Sequence, residues 1–153
     1  NVFADSNLYQ KKTAFWTKGL GFSYPLIASV SSGIITPPIL GDSEASKSPF
    51  GTVAVQTSID VGIGGGMVYS GVFIQIDDNY PISMKAISVK AALLRTWLLN
   101  IEERDRTYKG AVVEFFGAAA GMGGKIGMGY FQTETTAQSS NDGLVYLYVG
   151  IGL

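Results

Sequence analysis

The chain contains no cysteine and no histidine. That excludes disulfides, thiol nucleophiles and every Ser-His or Cys-His mechanism, and it removes the usual ligands of structural zinc. Charge is also scarce: 15% of the 153 residues are charged, with a net charge of −1. So weak a field does not draw nucleic acid or an anionic membrane in general. No uninterrupted apolar run reaches the length of a membrane-spanning helix. There is no Asn-X-Ser/Thr sequon. A cysteine-free chain suits the cytosol and also many secreted bacterial proteins, so the compartment stays open between secreted or cell-surface and cytoplasmic. The start at Asn1 fits a leader already removed or a trimmed chain.

What is present is apolar residues, at 46%, and twenty glycines. The length suffices for one domain with a real core. High apolarity with few charges implies a large core, or an apolar surface that meets a membrane or a partner.

Residues 51–78 show the organising pattern. Val53, Val55, Thr57, Ile59, Val61 and Ile63 alternate with Ala54, Gln56, Ser58, Asp60, Gly62 and Gly64. One face is β-branched and the other small or polar, which is the period of a strand. Gly64, Gly65 and Gly66 then predict a tight reversal using positive φ, followed by a second strand from Met67. A phosphate-cradling loop would need a helix after the glycines; a strand follows instead.

The remaining segments read as follows. Residues 1–50 form an N-terminal arm, first strands and a long Pro/Ser-rich loop of the same domain, and residues 51–153 form its core. Pro25 is expected at an edge or bulge. Residues 82–103 are ambiguous between helix and strand; we read a long bent strand, with one helical turn near 77–84. Residues 102–106 read as a charged hairpin tip. Residues 107–117 and 126–131 flank a second glycine-rich reversal, and residues 144–153 close the chain as an apolar strand. Seven to nine strands with short turns predict an all-β fold, a single-domain antiparallel β-barrel or closed sandwich. Glycines gathered on one strand face imply a small, tightly curved barrel without room for a large internal ligand.

No motif carries a cofactor. Gly124-Lys125 fails as a phosphate-binding loop, because Ala119 and Ile126 stand where Gly and Ser or Thr are needed. Asp60 and Glu114 are the candidate inward carboxylates, since both lie within apolar strands. Facing inward, they could form a catalytic dyad or pair with Lys90, Arg95 or Lys125. The bland alternative is a buried ion pair or an outward charge. Asp77 and Asp78 read as a turn cap. Lys85, Lys90, Arg95, Arg104, Arg106 and Lys109 suggest a basic surface; residues 85–125 net +3 against −4 for the remainder. Such a dipole could orient the protein on an anionic surface, but it is too weak for nucleic acid.

From Gly64 onward the order of features resembles the virulence-associated protein (VapA-like) family of secreted rhodococcal proteins. A Gly-rich strand pair leads to the Asp77-Asp78 turn and an Ala-rich strand (Val89 to Leu94). A polar turn (Leu98 to Arg106), a Tyr-x-Gly step (Tyr108, Gly110) and a Gly-rich ending (Gly117 to Gly129) follow. The resemblance covers about half the chain. The family's aromatic-Asp-Ser turn is absent, and the N-terminal half and the 144–153 strand depart from it. It implies a closed barrel without an enzyme site, secreted and acting at host membranes or in host–pathogen interaction.

The sequence therefore leaves several readings. The first is a non-enzymatic secreted or surface barrel that meets a membrane, host protein or glycan. The second is a bacterial outer-membrane barrel, favoured by the alternation at 53–64 and 146–153 and disfavoured by residues 82–101 and the lack of evident aromatic girdles. The others are a self-assembling subunit pairing through the edge strand 144–153 and a carboxylate enzyme using Asp60 and Glu114.

Overall fold

The computed structural model describes residues 14–40, 52–75, 84–97, 106–119, 122–133 and 143–152. They form eight strands: β1 (Phe15–Tyr24), β2 (Ile27–Ile35), β3 (Thr52–Gly62), β4 (Gly65–Gln75), β5 (Met84–Thr96), β6 (Arg106–Ala119), β7 (Met122–Thr133) and β8 (Gly143–Gly152). Each strand is antiparallel to the next, and β8 pairs with β1, so the sheet is a closed barrel in chain order. The all-β single barrel is as the sequence predicts. The ambiguous segment is strand β5 from Met84 to Thr96. The helical turn near 77–84 and the Asp77-Asp78 cap fall almost wholly outside the described residues.

Closure corrects one expectation. The 144–153 strand is not an edge: Leu144 to Ile151 pair with β7, while Leu147 to Gly152 pair with β1. From Leu147 to Ile151 it has a partner strand on both sides, so that stretch offers no open edge to a second chain.

Register sets the shape. The ladder leaving Gly124 passes through Ile151, Leu20, Val30, Val61, Gly66 and Arg95 to Thr107, beside the Tyr108 that pairs with Thr133. One circuit has climbed about ten residues along β7, which tilts eight strands by roughly 40°. Strands of 9 to 14 residues at ~3.3 Å per residue then make a wall on the order of 25–35 Å tall.

The reversals show why glycines cluster. The turn at Ile63–Gly64 joins β3 to β4, and Gly65 and Gly66 already belong to β4. The expected positive φ is not used there; among the described residues Gly152 is the glycine with positive φ. Close approach is what glycine provides. The amide of Gly64 donates to the Leu26 carbonyl at 3.0 Å, and a Cβ on Gly62 or Gly64 would run into the backbone of Leu26 or Pro25. Pro25 lies in the β1–β2 turn after a cis peptide, rather than at an edge or bulge. The turn tucks Leu26 into the barrel mouth, where it is fully buried. We call this end, with Leu26 and Gly64, the upper end; Trp16 and Ile39 mark the lower.

Candidate functional site

The alternation along each strand now acquires a direction, and it is the reverse of that in a water-soluble barrel. On β3 the inward face is Ala54, Gln56, Ser58 and Asp60, all buried, while Ile59 and Val61 point out and are about half exposed. The β-branched face is the outside. The same holds around the ring: Leu20 and Phe22 on β1, Val30 and Ile34 on β2, Val68 and Val72 on β4, Val89 and Leu93 on β5, Ile126 and Met128 on β7, and Val145, Leu147, Val149 and Ile151 on β8 are exposed. Ala111, Val113 and Phe115 continue the wall on β6. Aromatic girdles, not evident in the sequence, are present in part: Tyr24, Tyr130 and Trp97 stand outward toward the upper end and Trp16 toward the lower. The Trp97 indole N–H donates to the Ile63 carbonyl at 2.8 Å, so this ring clasps the β3–β4 turn from outside.

The lumen is layered. Leu26, Met67, Leu94, Val112, Phe131 and Tyr146 fill its upper part, and Ile35, Ala54, Phe73, Ala86 and Phe116 its lower part. Between these apolar layers lies an ionic cluster drawn from six strands, β3 to β8. Lys90 donates to Glu114 Oε2, and Lys125 Nζ lies 3.0 Å from Glu114 Oε1. Tyr69 donates to Asp60 Oδ1 at 2.8 Å and Tyr146 to Oδ2 at 3.4 Å. Lys125 also donates to the Tyr69 hydroxyl at 3.3 Å, which links the two carboxylates into one network. The ammonium of Lys90 stands 4.2 Å from the Tyr69 ring centroid and that of Lys125 4.3 Å from the Tyr148 ring centroid. Two carboxylates thus face two ammoniums, each held by hydrogen bonds and aromatic faces, which is what buried charges require. Tyr148 lies where Gly19, Gly21 and Gly150 leave room; a Cβ on any of them would approach its phenol.

Asp60 and Glu114 therefore do face inward, and Glu114 meets two of the three bases considered for it, Lys90 and Lys125. Arg95 is outward on β5 and exposed, so it does not join the cluster. The basic surface needs a correction. Lys90 is 1% exposed and belongs to the lumen, because it shares strand parity with Ser88 and Ala92, which are also buried. Lys109 and Arg95 are on the outer wall. Lys85 and Arg106 lie on β5 and β6, and Arg104 is outside the described residues. Tyr69, Tyr146 and Tyr148 were missed as partners. Their signal was parity: Tyr146 and Tyr148 share a face of β8 that is opposite to Leu147 and Val149.

Among the described residues the space beside the cluster is small. The void beside Gln56, Ser58, Tyr69 and Lys125 measures about 10 Å³, on the order of a single water. Among the described residues no group of three or more carboxylates gathers to hold a metal ion. Comparisons with protein-family models, curated proteins and solved structures return no match.

Proposed function

We propose that this chain is a bacterial outer-membrane β-barrel: a closed, non-conducting membrane anchor. The observation that carries this reading is the inverted alternation, with β-branched and aliphatic side chains outward on a wall that is mostly apolar, interrupted by Lys18 and by the Thr57–Ser70 pair, and an ionic network inside. Water would leave that wall as an apolar patch far beyond the few hundred Å² a soluble monomer exposes. Lipid accepts it, and a closed ring of strands satisfies every ladder hydrogen bond without solvent. Eight antiparallel strands, a tilt of roughly 40° and an apolar band of about 25 Å suit such a barrel.

The lumen argues for an anchor over a pore. Among the described residues, apolar layers above and below with a charge-balanced cluster between leave no continuous aqueous path. The secreted reading implied by the family resemblance requires a wall that is stable in water, and the enzyme reading requires a cavity beside Asp60 or Glu114; both are less well supported.

Trp16 and Trp97 make the test direct, because both stand on the outer wall. In vesicles whose acyl chains are brominated, their fluorescence should be quenched, and aqueous iodide should have little effect. A protein recovered without detergent whose tryptophans respond only to iodide would refute the membrane reading.

A further inference from the structure

One side of the lumen is built from short polar side chains. Thr17 on β1, Ser29 and Ser31 on β2, and Gln56 and Ser58 on β3 are all buried, and large side chains such as Tyr69, Lys90 and Phe116 fill the side across from them. Gln56 is 3% exposed and Ser58 5%. Among the described residues, Gln56 Oε1 and Ser58 Oγ have no hydrogen-bond partner. Buried oxygens are costly to leave bare, and ordered water commonly meets them. Two glycines keep the space around these hydroxyls clear: a Cβ on Gly33 would fall on that of Ser58, and one on Gly19 would come 2.6 Å from that of Ser31. The void of about 10 Å³ lies among Thr17, Ser31, Gln56, Ser58 and Lys125. An ammonium has three N–H donors. Lys125 directs one to Glu114 Oε1 at 3.0 Å and another to the Tyr69 hydroxyl at 3.3 Å, which leaves a third.

We propose that this void is a binding site for one water molecule, which accepts from the Lys125 ammonium and the Ser58 hydroxyl and donates to Gln56 Oε1 and the Ser31 hydroxyl. The volume is that of a single water, and such a site needs two to four polar partners. The chemistry selects a neutral ligand. The Lys125 ammonium repels a metal cation, and Glu114, 3.0 Å from that same nitrogen, repels an anion. The water ties the polar face of β1–β3 to the ionic network of β3–β8, with Lys125 as the shared group. It opens no aqueous path, because the apolar layers stand above and below it. Lys90 does not line the void, so the two lysines on Glu114 differ in their contact with water. The site is internal and does not depend on whether lipid or water covers the outer wall.

The test uses the full chain, in bilayers or in buffer, with lysine and glutamine side-chain nitrogens labelled and assigned. Solid-state NMR then reads magnetisation transferred from water. Transfer should reach the Lys125 ammonium and the Gln56 amide, and not the Lys90 ammonium. No transfer to Lys125 in the wild type, or equal transfer to Lys90, overturns the site whatever the variants do. Denaturant unfolding adds a readout whose sign differs between a hydrated and a dry void. With the water bound, S58A removes a hydrogen bond and should shift the equilibrium toward the unfolded chain by about two- to tenfold; in a dry void it removes a bare hydroxyl and stabilises the fold. S58A/Q56L should lose less than the product of the two single losses, because both act through the same water. Stabilisation by S58A, or losses that simply multiply, overturns the proposal. If Q56L does not fold, S58A and the wild-type spectrum decide it.

Discussion

A charge placed in the middle of the outer wall separates a lipid-facing barrel from a water-facing one. Val89 is suited to this: it lies near the centre of β5 (Met84–Thr96), is 49% exposed and pairs with Val72 and Val113. Its side chain points out, so Val89→Arg creates no clash and no cavity in the lumen. In water such a surface change shifts stability by less than about 0.5 kcal/mol. At the midplane of a bilayer an outward Arg costs about 2–4 kcal/mol, equivalent to roughly thirty- to a thousandfold in the unfolding equilibrium. The cost is depth-dependent, so Thr107→Arg, near the upper end of β6, should cost only ~0–1 kcal/mol. Reversible denaturant unfolding in lipid vesicles, followed by fluorescence, measures both. The reasoning fails if Val89→Arg and Thr107→Arg cost the same, or if neither exceeds 0.5 kcal/mol.

Three further outcomes follow from the lumen and its glycines. Glu114→Gln removes the charge facing both Lys90 and Lys125 and should destabilise by about 3–5 kcal/mol; Lys90→Met, which leaves Glu114 with Lys125, should cost less, and the reverse order in denaturant midpoints would disprove the shared-carboxylate arrangement. Gly71 pairs with Lys90, and a Cβ there would sit 2.6 Å from the Lys90 Cα, so Gly71→Ala should cost about 1–3 kcal/mol or prevent folding; a neutral effect by the same measurement would mean that β4 and β5 can part at that point. Wild type in a planar bilayer should give no steady current steps, since Leu26 and Phe131 above and Phe73 and Phe116 below close the lumen; long-lived openings would refute the sealed anchor.

The sequence by itself determined where strands run and which residues share a face. Val53 to Val61, Val145 to Ile151 and even the ambiguous β5 obey a period of two, and that period is local: it depends only on the backbone being extended. It also placed Asp60 and Glu114 as inward candidates, because a carboxylate on an otherwise small or polar face has a consistent environment there. Which of the two faces is inside is not a local property. A period of two is symmetric, and the same β-branched face would make the core of a soluble sandwich or the wall of a membrane barrel. Closure of β8 onto β1 decided it, by putting Tyr69, Lys90, Glu114, Lys125, Tyr146 and Tyr148 on the concave side, where their charges and hydroxyls meet. Their pairing depends on register across strands as far apart as Asp60 and Tyr146, which hydrogen-bond across 86 positions of chain. No spacing in the sequence encodes such a contact; only the stagger of the closed sheet brings those side chains to the same height.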